Sequence, residues 1–271
     1  MEKGDGSTGK KTDSFDLEQT LDCGQCFRWE RQKDGSYTGV AFGRILNISE
    51  ENREQALRDP LWRNYFDLPL DYGKIREDLA AGDAALARAA KFAPGMRILN
   101  QEPWEALCSF IFSQNNNIPR IKGIVARFCT GFGERIGEGV FAFPKAEKIA
   151  RLREEELAEI RCGFRAKYIL SAARKVAQGE VDLEALKTAP LPEARERLMT
   201  IHGVGPKVAD CTLLYGLHRL EAFPMDVWMK RAMRVLFPGR EPESFGRYAG
   251  IAQQYIFHYS RSNPALFEKD A

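Results

Sequence analysis

The stretch from Leu198 to Arg231 constrains this chain most, because glycines and a proline interrupt sequence that is otherwise helical. It predicts one helix that ends just before a hairpin at 202–205 and a second helix that begins at Pro206. Gly203 and Gly205 tolerate positive φ angles and let another backbone approach closely. Proline suits the first helical position, where its missing N–H would have no partner. The second helix therefore presents free N–H groups over a glycine turn, a geometry that accepts phosphate.

Lys207 is anomalous in the first turn of that helix. The helix dipole favours an anion there, so the ammonium form is disfavoured and the neutral amine is a nucleophile. The alternative is a lysine that contacts phosphate or solvent. Asp226 stands nineteen residues later, just before a third predicted helix, where an aspartate most simply caps the helix. If the hairpin brings both residues to one cleft, the amine can attack an electrophilic carbon and the carboxylate can stabilise the resulting cation.

Composition limits the classes of function. With 271 residues, 44% hydrophobic and 29% charged, the chain predicts a globular protein of one large or two small domains. The net charge of +2 means that any nucleic-acid surface is local. No membrane-spanning run or export signal is visible, so we expect a cytoplasmic protein with reduced cysteines. The lone Cys23–Cys26 pair and three scattered histidines argue against a metal centre or a metallohydrolase.

Three segments of the chain differ in composition and in the secondary structure that their patterns predict. Residues 1–13 are rich in Gly, Ser, Thr and Lys and are predicted to be disordered. Residues 14–95 are predicted to form a small domain, because short β-forming segments alternate with turns there. Residues 96–271 are predicted to be helical and to end in one long helix over 242–260. The predicted fold class is α+β, with an N-terminal antiparallel sheet followed by a mostly helical domain that carries the hairpin.

Four short motifs, in chain order, resemble those of a known family. They are LDCGQCFRW at 21–29, SQNNNIPRI at 113–121, GFRAKY at 163–168 and VGPKVADC at 204–211. With the hairpin and Asp226, this set resembles the 8-oxoguanine DNA glycosylases of the eukaryotic type, in the helix-hairpin-helix glycosylase superfamily. The resemblance spans about residues 15–260 and implies an N-terminal domain like the TATA-binding protein. The short N-terminal region favours a prokaryotic member.

The resemblance implies a bifunctional DNA glycosylase and apurinic-site (AP) lyase of base-excision repair. Such an enzyme flips 8-oxoguanine, preferably opposite cytosine, out of double-stranded DNA. Lys207 would attack the sugar C1′, displace the base and form a Schiff base, after which β-elimination nicks the strand. Asp226 would stabilise the developing oxocarbenium charge. We expect a monomer that works at the nucleoid.

The resemblance assigns the base pocket to Gly24, Cys211, Gln253 and Phe257. Oxidation turns N7 of guanine from an acceptor into an N–H donor, which the carbonyl of Gly24 would detect. Gln253 would read the Watson–Crick edge, with Phe257 and Cys211 on the two faces of the base. The alternatives are a turn glycine at 24, a core position at 257 and a small buried hydrophobe at 211.

On the opposite strand, the resemblance implies that Asn115 fills the space left by the flipped base. Arg120 and Arg165 would contact the orphaned cytosine, and Phe164 would be the wedge beside it. Without the resemblance, the asparagine run at 115–117 is most simply a helix C-cap.

The hairpin would hold a DNA phosphate through backbone N–H groups at Gly203, Gly205 and Val208. The resemblance implies no required cofactor but a structural Na⁺ or K⁺ at the hairpin, bound by the carbonyls of Met199, Ile201 and Val204. One position departs from the family: Trp228 stands where eukaryotic members commonly have a phosphate-contacting histidine, and its indole N–H carries no charge.

Two other functions stay open. One is a related glycosylase for another damaged base. Alkylation-specific members usually lack the lysine, and the endonuclease III type carries a cluster held by four closely spaced cysteines, which do not follow Asp226 here. The other is a non-catalytic hairpin module in which Lys207 only contacts DNA phosphate.

Overall fold

The computed structural model describes residues 15–270, with side chains to Phe267, so the predicted tail at 1–13 lies outside the described residues. Over this range the chain forms thirteen α-helices, five strands and four 3₁₀ helices. The α-helices are α1 Leu17–Leu21, α2 Arg53–Ala56, α3 Pro60–Tyr65, α4 Tyr72–Ala80, α5 Ala84–Phe92, α6 Pro103–Phe112, α7 Ile118–Phe132, α8 Ala146–Ala150, α9 Arg165–Ala177, α10 Leu191–Met199, α11 Pro206–Tyr215, α12 Val227–Leu236 and α13 Ala249–Ser262. The strands are β1 Trp29–Arg31, β2 Tyr37–Ala41, β3 Arg44–Ile48, β4 Arg135–Gly137 and β5 Val140–Phe141, and the 3₁₀ helices are Glu154–Ile160, Ala185–Lys187, Pro242–Tyr248 and Pro264–Asp270.

The N-terminal sheet is antiparallel with the order β1-β2-β3, which confirms the predicted architecture. Phe42 and Gly43 connect β2 to β3 with φ angles of 52° and 67°, as a two-residue hairpin turn requires. Trp29 pairs with Gly39, and a Cβ at Gly39 would lie 2.2 Å from the indole ring. The absence of a side chain at 39 therefore lets Trp29 pack flat on the sheet.

Helix starts follow the local sequence closely. Six helices in the described chain begin after an Asp or Asn whose side chain accepts a first-turn backbone N–H, as expected for N-caps: Asp16, Asp59, Asp71, Asp83, Asn117 and Asp226. The hairpin helix α11 instead begins at Pro206 and has Gly205, which lacks a side chain, at its N-cap position. Its first N–H groups therefore have no side-chain cap, as the phosphate geometry requires.

Two features differ from the sequence prediction. The single helix expected over 242–260 is wrong: Gly246, at φ 68° and ψ −152°, separates the 3₁₀ helix from α13. The sequence also does not predict the short helices α1 to α3 or the β4–β5 hairpin. Elements of two to six residues are too short to show a hydrophobic period.

Three apolar clusters hold these elements together. The largest joins Cys23, Phe27 and Tyr72 of the N-terminal region to residues of α6, α7, α9 and α11. A second lies under the sheet around Trp29, and a third joins α12 to α13. Every residue of α11 from Val208 to Tyr215 is buried, so the helix that carries Lys207 is a rigid central element. None of the helices within residues 15–270 is long and apolar enough to cross a membrane.

Candidate active site

The two hairpin glycines have different structural roles. Gly203 has φ +81°, and a Cβ there would lie 2.2 Å from the ring of Tyr168. Both its backbone conformation and its packing therefore require glycine. Gly205 has an ordinary φ of −98°, so the positive angle that its sequence permits is not used. A Cβ added at Gly205 would have no atom within 4 Å, so this side of the start of α11 is accessible to another backbone.

A cleft of about 660 Å³ lies at this end of α11. It is lined by Ser113, Gln114, Asn115, Asn116, Phe164, Tyr168, Gly205, Pro206, Lys207, Val208, Met225, Asp226, Val227, Trp228 and Lys230. The fold thus brings Lys207 and Asp226 to one cleft, from opposite sides of the loop that joins α11 to α12. Asn115 and Phe164, which are distant in sequence, line the same cleft.

Lys207 has three close neighbours. Its Nζ donates to Oγ of Ser113 at 3.1 Å and lies 5.3 Å from the ring centroid of Phe110. Burial raises the pKa of Cys211 to about 11, with Lys207 acting in the opposite direction, so the cysteine is a thiol beside the lysine. Sequence reasoning missed Ser113 and Phe110. The only signal was the position of Ser113, directly before the Gln-Asn-Asn-Asn run.

Asp226 is the N-cap of α12, as the simplest interpretation of the sequence predicts. Its Oδ1 accepts the N–H of Met229 at 2.7 Å, which fixes the carboxylate at the positive end of the helix. Capping uses only part of the acceptor capacity of a carboxylate, so the group also remains available to the cleft. Beside it, Trp228 packs edge-on against Phe267, with ring centroids 5.6 Å apart.

The four predicted base-pocket residues are not among those that line the cleft. Gly24 has φ +88°, and a Cβ there would lie 3.4 Å from Ile118 and 3.9 Å from the half-buried ring of Phe257. Gln253 and Cys211 are each 3% exposed. The Gln253 amide donates from Nε2 to the carbonyl of Pro224 at 3.2 Å. These contacts connect α13 with Gly24 on one side and with the loop before Asp226 on the other.

The asparagines at 115–117 lie in the loop between α6 and α7, and none of them is the C-cap residue of α6. That helix ends at Phe112 with Ser113 as its C-cap, so the C-cap expected at 115–117 is wrong. Asn117 instead caps α7 by accepting the N–H of Arg120 at 3.0 Å. Asn115 is exposed with φ 45°, a left-handed conformation that asparagine tolerates better than most residues. Arg120 is exposed and lines a separate groove beside Gly163.

The adjacent predicted residues Phe164 and Arg165 differ in exposure, although the Arg165 guanidinium lies over the Phe164 ring, 4.4 Å from its centroid. Phe164 is 51% exposed, as a wedge must be, whereas Arg165 is 2% exposed. The Arg165 guanidinium donates to the carbonyls of Gln114 at 3.0 Å, Cys162 at 3.1 Å and Asn115 at 3.2 Å. In the free protein Arg165 therefore holds the Asn115 loop, and its contact with cytosine stays a prediction that requires some of these bonds to be exchanged.

The hairpin carbonyls suit a monovalent cation in their chemistry. The Ile201 carbonyl accepts the N–H of Val204 at 3.0 Å and keeps a second lone pair. Together with the carbonyls of Met199 and Val204, it offers the oxygen ligands that hard cations prefer. Within residues 15–270, no group of three His, Cys, Asp or Glu side chains is arranged to bind a metal ion.

The chain is similar to known proteins in sequence and in fold. Residues 8–107 match the family model described as 8-oxoguanine DNA glycosylase, N-terminal domain, and residues 108–244 match HhH-GPD superfamily base excision DNA repair protein. The chain is 36% identical over 252 residues to the N-glycosylase/DNA lyase of Saccharomyces cerevisiae, covering 79% of this chain and 66% of the yeast protein.

Two solved structures have the same fold. The protein MBOgg1 in complex with a low-affinity DNA ligand is 44% identical with a TM-score of 0.83, covering 92% of this chain and 93% of that one. The Clostridium acetobutylicum 8-oxoguanine glycosylase/lyase, bound to duplex DNA with cytosine opposite 8-oxoguanine, is 38% identical with a TM-score of 0.81 and the same two coverages.

Proposed function

The chain belongs to the 8-oxoguanine DNA glycosylase family of the HhH-GPD superfamily, and on that premise we propose that it excises 8-oxoguanine from duplex DNA and then nicks the strand. The observation that carries this proposal is the position of Lys207 and Asp226 in one cleft at an uncapped helix start. An amine and a carboxylate there suit displacement at a sugar carbon next to a phosphate.

The proposed reaction begins with the damaged nucleotide flipped out of the stack. Nζ of Lys207 forms a bond to C1′ as the bond from C1′ to the base breaks, and the base leaves with the electron pair and takes up a proton. Asp226 stabilises the positive charge that develops on the sugar. The C1′–O4′ bond then breaks, O4′ takes up a proton that Nζ releases, and the opened sugar is held to Lys207 as a Schiff base. The Schiff base makes the C2′ proton acidic, so loss of that proton breaks the C3′–O bond, the 3′ phosphate leaves with the electron pair and the strand is nicked.

Lesion choice and partner-strand reading use residues outside the lysine's immediate surroundings. The Gly24 carbonyl accepts the N7–H that distinguishes 8-oxoguanine, Gln253 reads the Watson–Crick edge, and Phe257 and Cys211 contact the base faces. Asn115 and Phe164, both exposed at the cleft, fill the gap in the duplex and wedge it open. Arg120 and Arg165 contact the cytosine.

The DNA backbone binds at the hairpin in this proposal. The N–H groups of Gly203, Gly205 and Val208 hold one phosphate, and Na⁺ or K⁺ on the carbonyls of Met199, Ile201 and Val204 supports the turn. The protein acts on double-stranded DNA as a monomer at the nucleoid. The cation is tested by measuring DNA affinity at one ionic strength in NaCl, KCl and tetramethylammonium chloride, with weaker binding expected in the last.

Borohydride trapping tests the chemistry, because it reduces a Schiff base to a stable covalent adduct. We expect wild-type protein to form an adduct with duplexes that carry 8-oxoguanine opposite cytosine, and Lys207→Gln to form none. Lys230→Gln is the matched control, since Lys230 is an exposed lysine in the same cleft and should still allow trapping.

An undiminished adduct with Lys207→Gln would rule out Lys207 as the nucleophile. Tight DNA binding without any adduct or excision by the wild-type protein would instead favour the non-catalytic module.

A further inference from the structure

Three buried polar side chains lie on α11 and α13, outside the cleft. Tyr215 is 5% exposed, Gln253 is 3% exposed and Gln254 is 1% exposed. Burying a hydroxyl or an amide is costly unless each is hydrogen-bonded, so their partners fix their orientations. Only Gln253 has a role in the mechanism described above, and neither Tyr215 nor Gln254 belongs to the motifs that identified the family.

Gln254 connects the loop that contains Gly24 with the end of α11. Its Nε2 donates to the carbonyl of Cys23 at 3.2 Å, and its Oε1 accepts the hydroxyl hydrogen of Tyr215. The Cys23 carbonyl belongs to the same peptide plane as the N–H of Gly24, so this bond holds the residue at its N-terminal side. On the other side, the fully buried Gln25 donates to the carbonyls of Thr20 at 2.8 Å and Arg97 at 2.7 Å.

These two anchors set the direction of the Gly24 carbonyl. Gly24 has φ +88° and no side chain of its own to restrain it. Without the bond from Gln254, the plane between 23 and 24 is released and φ of Gly24 is less restrained. The next plane, between 24 and 25, carries the carbonyl that is proposed to accept N7–H, and its orientation then becomes less fixed.

The Pro224 carbonyl fixes the orientation of the Gln253 amide, and Tyr215 bears on whether the oxygen end of that amide is occupied. Nε2 of Gln253 donates to the carbonyl of Pro224 at 3.2 Å, and Oε1 of Gln253 lies 3.5 Å from the Tyr215 hydroxyl. A hydroxyl has one hydrogen, and Tyr215 donates it to Gln254. The Gln253 oxygen therefore keeps acceptor capacity for a ligand with N–H donors, which guanine-type bases present at N1 and N2.

The donor state of Tyr215 is stable. Burial raises the pKa of its phenol well above the usual range, so the hydroxyl keeps its proton at neutral pH. The Tyr215 ring stacks on Phe110 at 5.1 Å and 22°, and the Lys207 Nζ lies over that same Phe110 ring. A series of contacts therefore connects the loop at Gly24, through Gln254 of α13, Tyr215 of α11 and Phe110 of α6, to the Lys207 amine.

We propose that Tyr215 and Gln254 are positioning residues for base recognition: Gln254 orients the Gly24 peptide, and Tyr215 leaves the Gln253 oxygen as the acceptor for the Watson–Crick edge. This inference rests on the proposed function. It makes discrimination between 8-oxoguanine and guanine depend on two side chains that contact neither the base nor the sugar.

The test compares Tyr215→Phe, Gln254→Met and the double variant in two single-turnover assays on full-length protein. One assay measures excision of 8-oxoguanine opposite cytosine, and the other measures nicking of a preformed abasic site, which needs no base recognition. We expect the ratio of excision to nicking to fall about tenfold in each single variant, the scale of one or two lost hydrogen bonds. Excision of plain guanine relative to 8-oxoguanine should rise.

Thermal melting separates positioning from stability. Tyr215→Phe leaves Oε1 of Gln254 unpaired, and Gln254→Met removes the partner of both the Tyr215 hydroxyl and the Cys23 carbonyl, so both single variants should melt lower. The double variant leaves only the Cys23 carbonyl without its partner, so it should melt higher than Gln254→Met. The excision-to-nicking ratio should stay low in the double variant. Tyr65→Phe is the control: Tyr65 is 3% exposed, its hydroxyl accepts Trp29 Nε1–H at 2.8 Å, and its loss should lower the melting temperature without changing the ratio.

A wild-type ratio in the double variant, or in both single variants, would overturn the positioning role while leaving the proposed function intact. If the double variant fails to fold, Tyr215→Phe alone decides, because it removes one oxygen atom. Failure of the wild-type protein to excise 8-oxoguanine would overturn the proposed function and the positioning role together.

Discussion

In the proposed mechanism one atom, the carbonyl oxygen of Gly24, distinguishes 8-oxoguanine from guanine. The φ of +88° at Gly24 costs a non-glycine residue roughly 1–2 kcal/mol, and an added Cβ would lie 3.4 Å from Ile118. We expect Gly24→Ala to slow excision of 8-oxoguanine by at least about tenfold, because the loop must shift its carbonyl. Nicking of a preformed abasic site should fall less. Single-turnover assays on the two substrates measure both effects.

Gly35→Ala is a matched control for the backbone strain alone. Gly35 has nearly the same conformation, with φ +85°, but lies in the β1–β2 turn with no atom within 4 Å of an added Cβ. Gly35→Ala should therefore cost stability without changing excision. Equal excision by Gly24→Ala and wild-type protein would exclude the Gly24 carbonyl as the lesion sensor.

At the scale of elements, two arginines that the family resemblance assigns to the cytosine differ in their contacts with the loop between α6 and α7. Arg120 is exposed in the first turn of α7, whereas Arg165 at the start of α9 donates to carbonyls of that loop. Arg120→Ala should remove the preference for cytosine while excision opposite other bases persists. Arg165→Met should slow excision opposite all four bases, because the Asn115 loop loses its anchor. Single-turnover excision on four duplexes, one for each opposite base, distinguishes these outcomes.

Two results would contradict this division. A preference for cytosine that survives Arg120→Ala would exclude Arg120 as the reader of that base. An Arg165→Met effect confined to the cytosine duplex would show that Arg165 acts only through its contact with the cytosine, and would exclude its role in holding the loop.

At the scale of the whole molecule, a buried ion pair joins the N-terminal region to the helical region. Arg28 Nη1 lies 3.2 Å from Oε2 of Glu105 on α6, and its other terminal nitrogen donates to the carbonyl of Phe141. Burial raises the pKa of Glu105 from 4.5 to about 7, although the charge of Arg28 acts to lower it. The folded protein therefore binds a proton between these values that the unfolded chain has released.

This difference predicts the pH dependence of stability. The contribution of Glu105 to the free energy of unfolding should fall as the pH rises from 4.5 to about 7 and then level off. Glu105→Gln cannot titrate, so its melting temperature should fall less across that window than that of wild-type protein. The exposed carboxylate variant Glu147→Gln serves as the control. Parallel melting curves for wild type and Glu105→Gln across the window would contradict this assignment.

Local sequence alone determined the helices that place the chemistry. Aspartate and asparagine caps, prolines in first turns and the glycine hairpin act within a few residues, so the positions of α11 and α12, and of Asp226 as a cap, are confirmed. The three-stranded sheet is also confirmed, because its turn residues and alternation are local. The failures have local reasons too: a single glycine in a helical pattern, such as Gly246, does not by itself predict a break, and β4 and β5 are too short to show a period.

Only the tertiary structure decided which distant residues meet. Ser113 lies beside Lys207, Arg165 beneath the Asn115 loop, and Gln254 against Cys23, and no spacing in the sequence predicts these contacts. Burial is the physical reason, because a polar group removed from water must take whichever partner the packed elements bring within reach. The sequence alone could therefore identify the family and a candidate nucleophile, whereas the orientation of the proposed recognition site depends on partners that the fold selects.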